Sequence, residues 1–276
     1  MRTLEKTFDR LVLVALVVLT VVWIAPIVWI VGLSLKPNEL LSQSTRGFLL
    51  PPFTLRNYID VFTVSPLLGW MLNSAIVAVG QTILTLVIAS LAGYGFARTN
   101  FPGKTALFVI VLAALAVPEQ AIIAPLHAMF TAADLHNSYT ALIVPRLAFP
   151  FGVLLMTQYF QGISPELEEA ALLDNASRFL VFWRIVLPLS IPAQATLGIY
   201  TFLRAWNDFF WPLVSVSNPD FYTLTIGLAS LQMGASQPTG IGWLMAHAVI
   251  AGLPVVIVYL FFQRHIVGAV AEWAVR

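Results

Sequence analysis

The sequence predicts an all-α integral membrane protein with six transmembrane helices: one N-terminal span and five more behind it. Three observations lead there. Of its residues 59% are hydrophobic and only 10% charged, with a mean hydropathy of +0.87, a balance foreign to water-soluble domains. Apolar runs long enough to cross a bilayer as helices recur along the chain, separated by shorter polar stretches. One of those stretches, residues 164–192, crowds Glu166, Glu168, Glu169, Asp174, Arg178 and Arg184 between two apolar runs. So many charges exclude it from the hydrocarbon, and it is expected outside the membrane.

In order, residues 1–35 carry Arg2, Lys6 and Arg10 ahead of an apolar run from Leu11 to about Leu35. The run exceeds a signal-peptide core and shows no small-x-small cleavage site, so it is read as an uncleaved first span. Residues 36–67 turn polar, with Pro37, Pro51, Pro52 and Pro66, and are expected to form an extended periplasmic loop. Residues 68–264 hold spans two to six. The second runs from Leu68 to about Ala97, and Arg98 to Lys104 make a short turn around Pro102-Gly103. The third, Thr105 to about Leu126, contains Pro118 and Pro125 and is expected to be kinked or broken. A loop at His127–Ser138 leads to the fourth span, Tyr139–Phe160; after the charged loop, 163–187, come the fifth, Pro188–Trp206, a loop rich in Asn, Pro and Gly, and the sixth, Ile241–Phe262. Residues 265–276 form a tail.

Six spans put both termini on one side, and basic residues decide which. Arg2, Lys6, Arg10, Arg98, Lys104, Arg178, Arg184, Arg264 and Arg276, nine in all, share the side of the charged loop, while Lys36, Arg46 and Arg56, three in all, lie opposite. By the positive-inside rule both termini and the charged loop are cytoplasmic.

Within that loop the local chemistry is ordered. Ser164 suits a helix N-cap, Pro165 the first helical position, and the three glutamates complement the positive end of the helix dipole. Leu167, Ala170, Ala171 and Asp174 recur at helical spacing and give a small, flat face suited to another protein's surface. Asn175, one of the few non-glycine residues that adopt a left-handed conformation, ends this helix, and Ser177 caps a second that runs until Pro188. The pattern Glu169-Ala170-Ala171, Asp174, Ile185, Leu187-Pro188 and Pro192 resembles the EAA loop of permease subunits of bacterial ABC importers. Ser164-Pro165-Glu166 before it, Trp206-Asn207-Asp208 after it and Asn57-Tyr58 upstream resemble the carbohydrate-uptake branch, and within it the smaller permease of maltose-type systems. The family usually has Gly after the Asp; Asn175 also tolerates positive φ and is expected to keep the turn. Gly268-Ala269-Val270-Ala271-Glu272 keeps part of a C-terminal pattern common in the family.

That resemblance implies an inner-membrane importer core from 68 to 264, with the first span embracing a second, homologous permease. It also implies two ATPase subunits that bind ATP and Mg, and a periplasmic solute-binding protein. Glu166, Glu169, Ala170, Ala171, Asp174, Asn175 and Arg178 would then form a cytoplasmic coupling helix and its exit, docked on the ATPase. No phosphate-binding G-x-x-x-x-G-K-[ST] motif occurs, so this chain is expected to bind no ATP itself and to be no enzyme.

Charges inside spans are costly and need an explanation. Glu119 and Arg146 fall at matching depth on the third and fourth spans, roughly 10–12 Å inside the outer boundary at about 1.5 Å of rise per residue. They are expected to pair and brace the chain at Pro118, with a role in a cavity as the alternative. Arg204 and Asp208, four apart, can pair along one helix. Trp206, Asn207 and Asp208 form an aromatic and polar cluster of the kind that stacks on and hydrogen-bonds sugars, or else an interfacial anchor. With Asn73, Glu119 and Gln120 they make the candidate substrate pathway; Gln81 and Gln158 suit interhelical hydrogen bonds.

The four histidines lack metal spacing, and the absence of cysteine removes disulfides and thiolate chemistry. A net charge of +1 gives no reason to expect nucleic acid. The expected function is permeation of a sugar or sugar derivative, with a polyol, a glycerol phosphodiester or a sulfonated sugar as alternatives. An ion-gradient transporter using Glu119 is the more distant one.

Overall fold

The computed structural model describes residues 2–42, 44–233 and 240–274, and among these it contains helices and turns but no strand. The helices are α1 (Arg2–Ser34), α2 (Asn38–Leu41), α3 (Arg56–Val64), α4 (Leu67–Arg98), α5 (Lys104–Ala113), α6 (Glu119–Ala132), α7 (Tyr139–Ile143) and α8 (Pro150–Gly162). There follow α9 (Pro165–Leu173), α10 (Arg178–Val181), α11 (Leu187–Leu189), α12 (Ile191–Trp206), α13 (Phe210–Ser215), α14 (Leu224–Met233) and α15 (Ile241–Ala274). Arg276 lies outside the described residues, and the 268–272 pattern lies outside those whose side chains are described.

One compact unit comprises residues 1–68 and 230–254. Its α1 is apolar and exposed along most of its length, and burial begins only at its end, where Leu33 and Ser34 are both covered. The stretch 36–66, expected to be extended, instead carries α2 and α3. The physical reason is Asn57: its amide donates to the carbonyls of Ser34 and Lys36 at 2.8 Å each and accepts from Asn38 Nδ2 at 2.9 Å. Tyr58 reaches the Ser34 hydroxyl at 2.7 Å. Asn38 Oδ1 in turn accepts from the Gly242 N–H at 2.9 Å, and a Cβ at Gly242 would lie 2.6 Å from the Asn57 amide. Buried His247 bridges Ser65 Oγ and the Trp243 carbonyl, 2.9 Å each.

The second unit comprises residues 69–229 and 255–276. Among the described residues three helices are long and apolar enough to cross a membrane: α1 from Asp9, α4, and α15 up to Phe261. Three bent pairs also qualify, each taken as a whole: 104–116 with α6 at 103°, 139–146 with α8 at 48°, and 178–189 with α12 at 74°. The first break was expected, and so was an interruption near Pro188 in the third pair; the second was not. The first is sharpest. It falls at Pro118, whose ring excludes a backbone donor, while Pro125 is accommodated inside α6. The fourth span, expected as one run from Tyr139 to Phe160, breaks at 147–149 before Pro150, which opens α8. The fifth begins at Ile191 rather than Pro188: a five-residue π-helical turn, Phe182–Val186, lets the chain run through Pro188, and Ser190 takes the corner. His127 belongs to α6 rather than to a loop, and the segment after Trp206 carries α13 and α14.

The core of this unit is a cluster of Ala89, Met156, Phe160, Val181, Phe182, Val186, Ala193 and Leu197. Gly93 brings α4 onto α8 there, since a Cβ on it would meet Met156 Cβ at 2.7 Å and the Thr157 N at 3.0 Å. Gly95, two residues on, has nothing within 4 Å of such an atom. Gln81 Nε2 donates to the Leu142 carbonyl at 3.0 Å, an interhelical bond of the kind expected for polar groups within spans.

Candidate functional site

The charged loop folds as helix, turn, helix. Pro165 opens α9 and Ser164 stands at the N-cap position, but its hydroxyl donates to the Glu166 carboxylate instead of capping a backbone N–H. At the other end Asp174 caps the helix and Asn175 adopts φ +56°. The Asn175 N–H reaches the Leu172 carbonyl and the Ala176 N–H that of Ala171, both at 3.1 Å, which is the hydrogen-bond pair of a Schellman motif. Ser177 Oγ then accepts from the Leu180 N–H at 3.3 Å and starts α10.

Two faces result. Outward stand Leu167, Ala170 and Leu173, the last 85% exposed, with the carboxylates of Glu166, Glu169 and Asp174 around them. Inward, Ala171 packs against the core cluster, so it leaves the outer face on which its helical spacing had placed it. Glu168 is buried beside it. Its carboxylate pairs with Arg98 Nε at 2.7 Å and accepts from the Tyr94 hydroxyl at 3.0 Å, and Arg98 Nη2 also donates to the Ile163 carbonyl. A cavity of about 290 Å³ lies alongside, bordered by Tyr94, Asn100, Glu169 and Arg178 among others.

Farther along the same unit, Glu119, Arg146, Arg204 and Asp208 form one network. Glu119 Oε2 lies 2.6 Å from Arg146 Nη1, and its other oxygen pairs with Arg204 Nη2. Arg146 also binds Asp208 Oδ2 through Nε and Nη2, at 2.9 and 2.8 Å. The expected pairing of Arg204 with Asp208 along the helix gives way to these cross-helix bonds, because α12 ends at Trp206 and Asp208 lies beyond helical register. Arg204 lies 4.7 Å above the Phe149 ring, which itself stacks on Tyr200. Trp206 is 4% exposed and stacks on Phe202, so in this conformation it presents no open face to a sugar. Asn207, exposed, donates to the Leu203 carbonyl at 2.8 Å. Asn73 is buried too: it donates to the carbonyls of Asp220 and Tyr222 and accepts from Tyr139, which ties α4 to α7 and to the 219–222 turn. Of the pathway candidates, Gln120 and Asn207 are exposed and Glu119 is half-exposed.

A family model described as the binding-protein-dependent transport system inner membrane component matches residues 85–272, a span that includes the whole charged loop and the four-charge network. The chain belongs to this family. The arabinooligosaccharides transport system permease protein AraQ of Halalkalibacterium halodurans is 33% identical over 254 residues, covering 91% of this chain and 90% of that protein. The sulfoquinovosyl glycerol transport system permease protein SmoH of Agrobacterium fabrum is 33% identical over 266 residues, 95% of this chain and 92% of that one. A chain of a bacterial ABC transporter involved in the import of the acidic polysaccharide alginate superposes with a TM-score of 0.81 over 94% of this chain and 96% of its own, at 22% identity, a likeness of fold.

In this permease the residues that sequence reasoning passed over are Glu168, Arg98 and Tyr94. Glu168 stood among three glutamates, and only the inward helical phase shared with Ala171 could have singled it out. The Schellman turn also yields a prediction. Asn175→Val is expected to destabilise the loop by about 1–2 kcal/mol, because a β-branched side chain resists the left-handed region, while Asn175→Gly leaves stability unchanged or raised. Limited proteolysis across 173–178 would report it, and equal cleavage of both variants would contradict it.

Proposed function

We propose that this permease is one of two homologous pore subunits of an ABC importer for a sugar or sugar derivative, working by alternating access. The first two bent pairs are then one span each and α12 alone crosses in the third, giving six, and the basic-residue bias puts both termini and α9 in the cytoplasm of a bacterium's inner membrane. ATP and Mg are held by two separate ATPase subunits, and a periplasmic protein delivers solute to the outer side. The sugar class rests on the relatives, which are permeases of arabinooligosaccharide and sulfoquinovosyl glycerol systems; the second keeps a sulfonated sugar in view. The ion-gradient reading loses its support, since Glu119 is engaged by two arginines and the chain belongs to a binding-protein-dependent family.

The observation that carries the proposal is the outer face of α9. Leu167, Ala170 and Leu173 make an apolar ridge on a surface that hydropathy excludes from lipid, rimmed by three carboxylates and held from behind by a buried ion pair. Such a ridge fits an apolar groove with a basic rim on another protein.

The chain has no cysteine, so Ala170→Cys gives a single reactive thiol. In the assembled complex this thiol is expected to cross-link to the ATPase, and Glu169→Lys to cut uptake about tenfold or more, the worth of one lost charge-assisted contact. Cross-links to lipid alone, or labelling from the periplasmic side, would overturn the proposal. The solute itself is read by identifying what co-purifies with the binding protein.

A further inference from the structure

We propose that Glu168 is a positioning residue that makes α9 and the cytoplasmic end of α4 one rigid lever, so that a force on the docking ridge reaches the second span directly. The inference rests on the coupling reading above and deepens it. A docking helix tethered only through its own chain would pass motion on through the 174–177 turn and the corner at Ser190, two changes of direction in series. The structure supplies a shorter route.

Three elements meet at the Glu168 carboxylate. Tyr94 and Arg98 come from the last turn of α4, and Arg98 reaches across to the Ile163 carbonyl, where α8 ends. The side chains of Arg98 and Glu168 are 16% and 12% exposed, so water competes little for the pair. Tyr94 is itself wedged, edge-on to Phe160 at 6.0 Å and against Phe182 at 4.9 Å, both members of the core cluster. Immediately before Tyr94, the Gly93 crossing presses α4 onto α8 with no room for a side chain. The carboxylate therefore accepts from the Tyr94 hydroxyl and is ion-paired with the Arg98 guanidinium, two groups packed at the end of α4, so that a rotation of α9 pulls on both.

The charge is also well placed. Arg98 closes α4 at the negative end of its dipole, so the guanidinium is favoured there before Glu168 arrives. Glu169, its neighbour, points out to the rim and is free to meet a partner. One acid thus holds the lever and the next contacts what moves it.

The test uses the cysteine-free chain in the assembled complex, with paired spin labels at Leu173→Cys, on the ridge, and Asn100→Cys, just beyond α4. Distances are read without nucleotide and after trapping with Mg-ATP and vanadate. With Glu168 present the label distance is expected to be single, narrow and equal in both states. Glu168→Gln and Arg98→Leu are expected to lose that behaviour, giving a broadened or split distribution in the trapped state, with altered ATP turnover at unchanged KM for ATP. Conservative Arg98→Lys should restore the narrow distance in part, which a simple folding defect would not. Variants that assemble, keep the narrow distance and turn over ATP as before would overturn the lever. The Ala170→Cys cross-link separates the two readings: its loss in the otherwise unaltered protein sinks the coupling role, whereas its presence beside unchanged Glu168→Gln distances sinks only the lever.

Discussion

Arg146→Leu is expected to destabilise the permease by about 3–5 kcal/mol, the cost of leaving the partner of a buried ion pair uncompensated. Arg146 and Asp208 are 11% and 14% exposed in their side chains, so the carboxylate left behind cannot rehydrate without disrupting the ends of α7 and α12. Its other contact, from the Trp211 N–H at 3.5 Å, is too long to replace a guanidinium. Glu119, 44% exposed and still paired with Arg204, loses much less. Arg146→Leu combined with Asp208→Leu is accordingly expected to regain most of the loss, because removing both charges removes the desolvation problem together with the attraction. Thermal unfolding of the purified protein in detergent measures both; a single variant within about 1 kcal/mol of the parent would show that the network is effectively solvated.

Gly93→Leu is the second large effect, at about 3 kcal/mol, with Gly93→Ala at about 1–3 kcal/mol, as expected for overpacking. The first atom added would already meet Met156 Cβ at 2.7 Å and the Thr157 backbone at 3.0 Å, and a backbone cannot swing away as a side-chain tip can. The damage should be shared by function, because this crossing lies next to Tyr94 and five residues before Arg98. Gly95→Ala provides the control. With open space around it, the substitution should raise stability by about 0.5–1 kcal/mol through helix propensity alone. Unfolding midpoints for the three variants check the order, and equal effects at 93 and 95 would remove the tight crossing from the account.

What the sequence by itself determined is whatever depends on neighbours along the chain. The apolar runs, the opening of α9 at Pro165, the Asn175 turn, the Ser177 cap and the break at Pro118 all follow from hydropathy and from φ restrictions within a few residues. The matching depth of Glu119 and Arg146 was legible for the same reason, as a count of helical rise from the span ends. The tertiary structure alone decided which of several equivalent side chains was used. It chose Glu168 over Glu169 to face inward, turned Ala171 and Trp206 into the core, gave Arg204 to Glu119 rather than to Asp208, and packed Gly93 while leaving Gly95 open. Those choices join residues 74 and 85 positions apart, as in Tyr94 with Glu168 and Arg204 with Glu119. Periodicity states that a helix has faces; only the elements packed against it settle which face is covered, because burial is a property of the neighbour as much as of the residue.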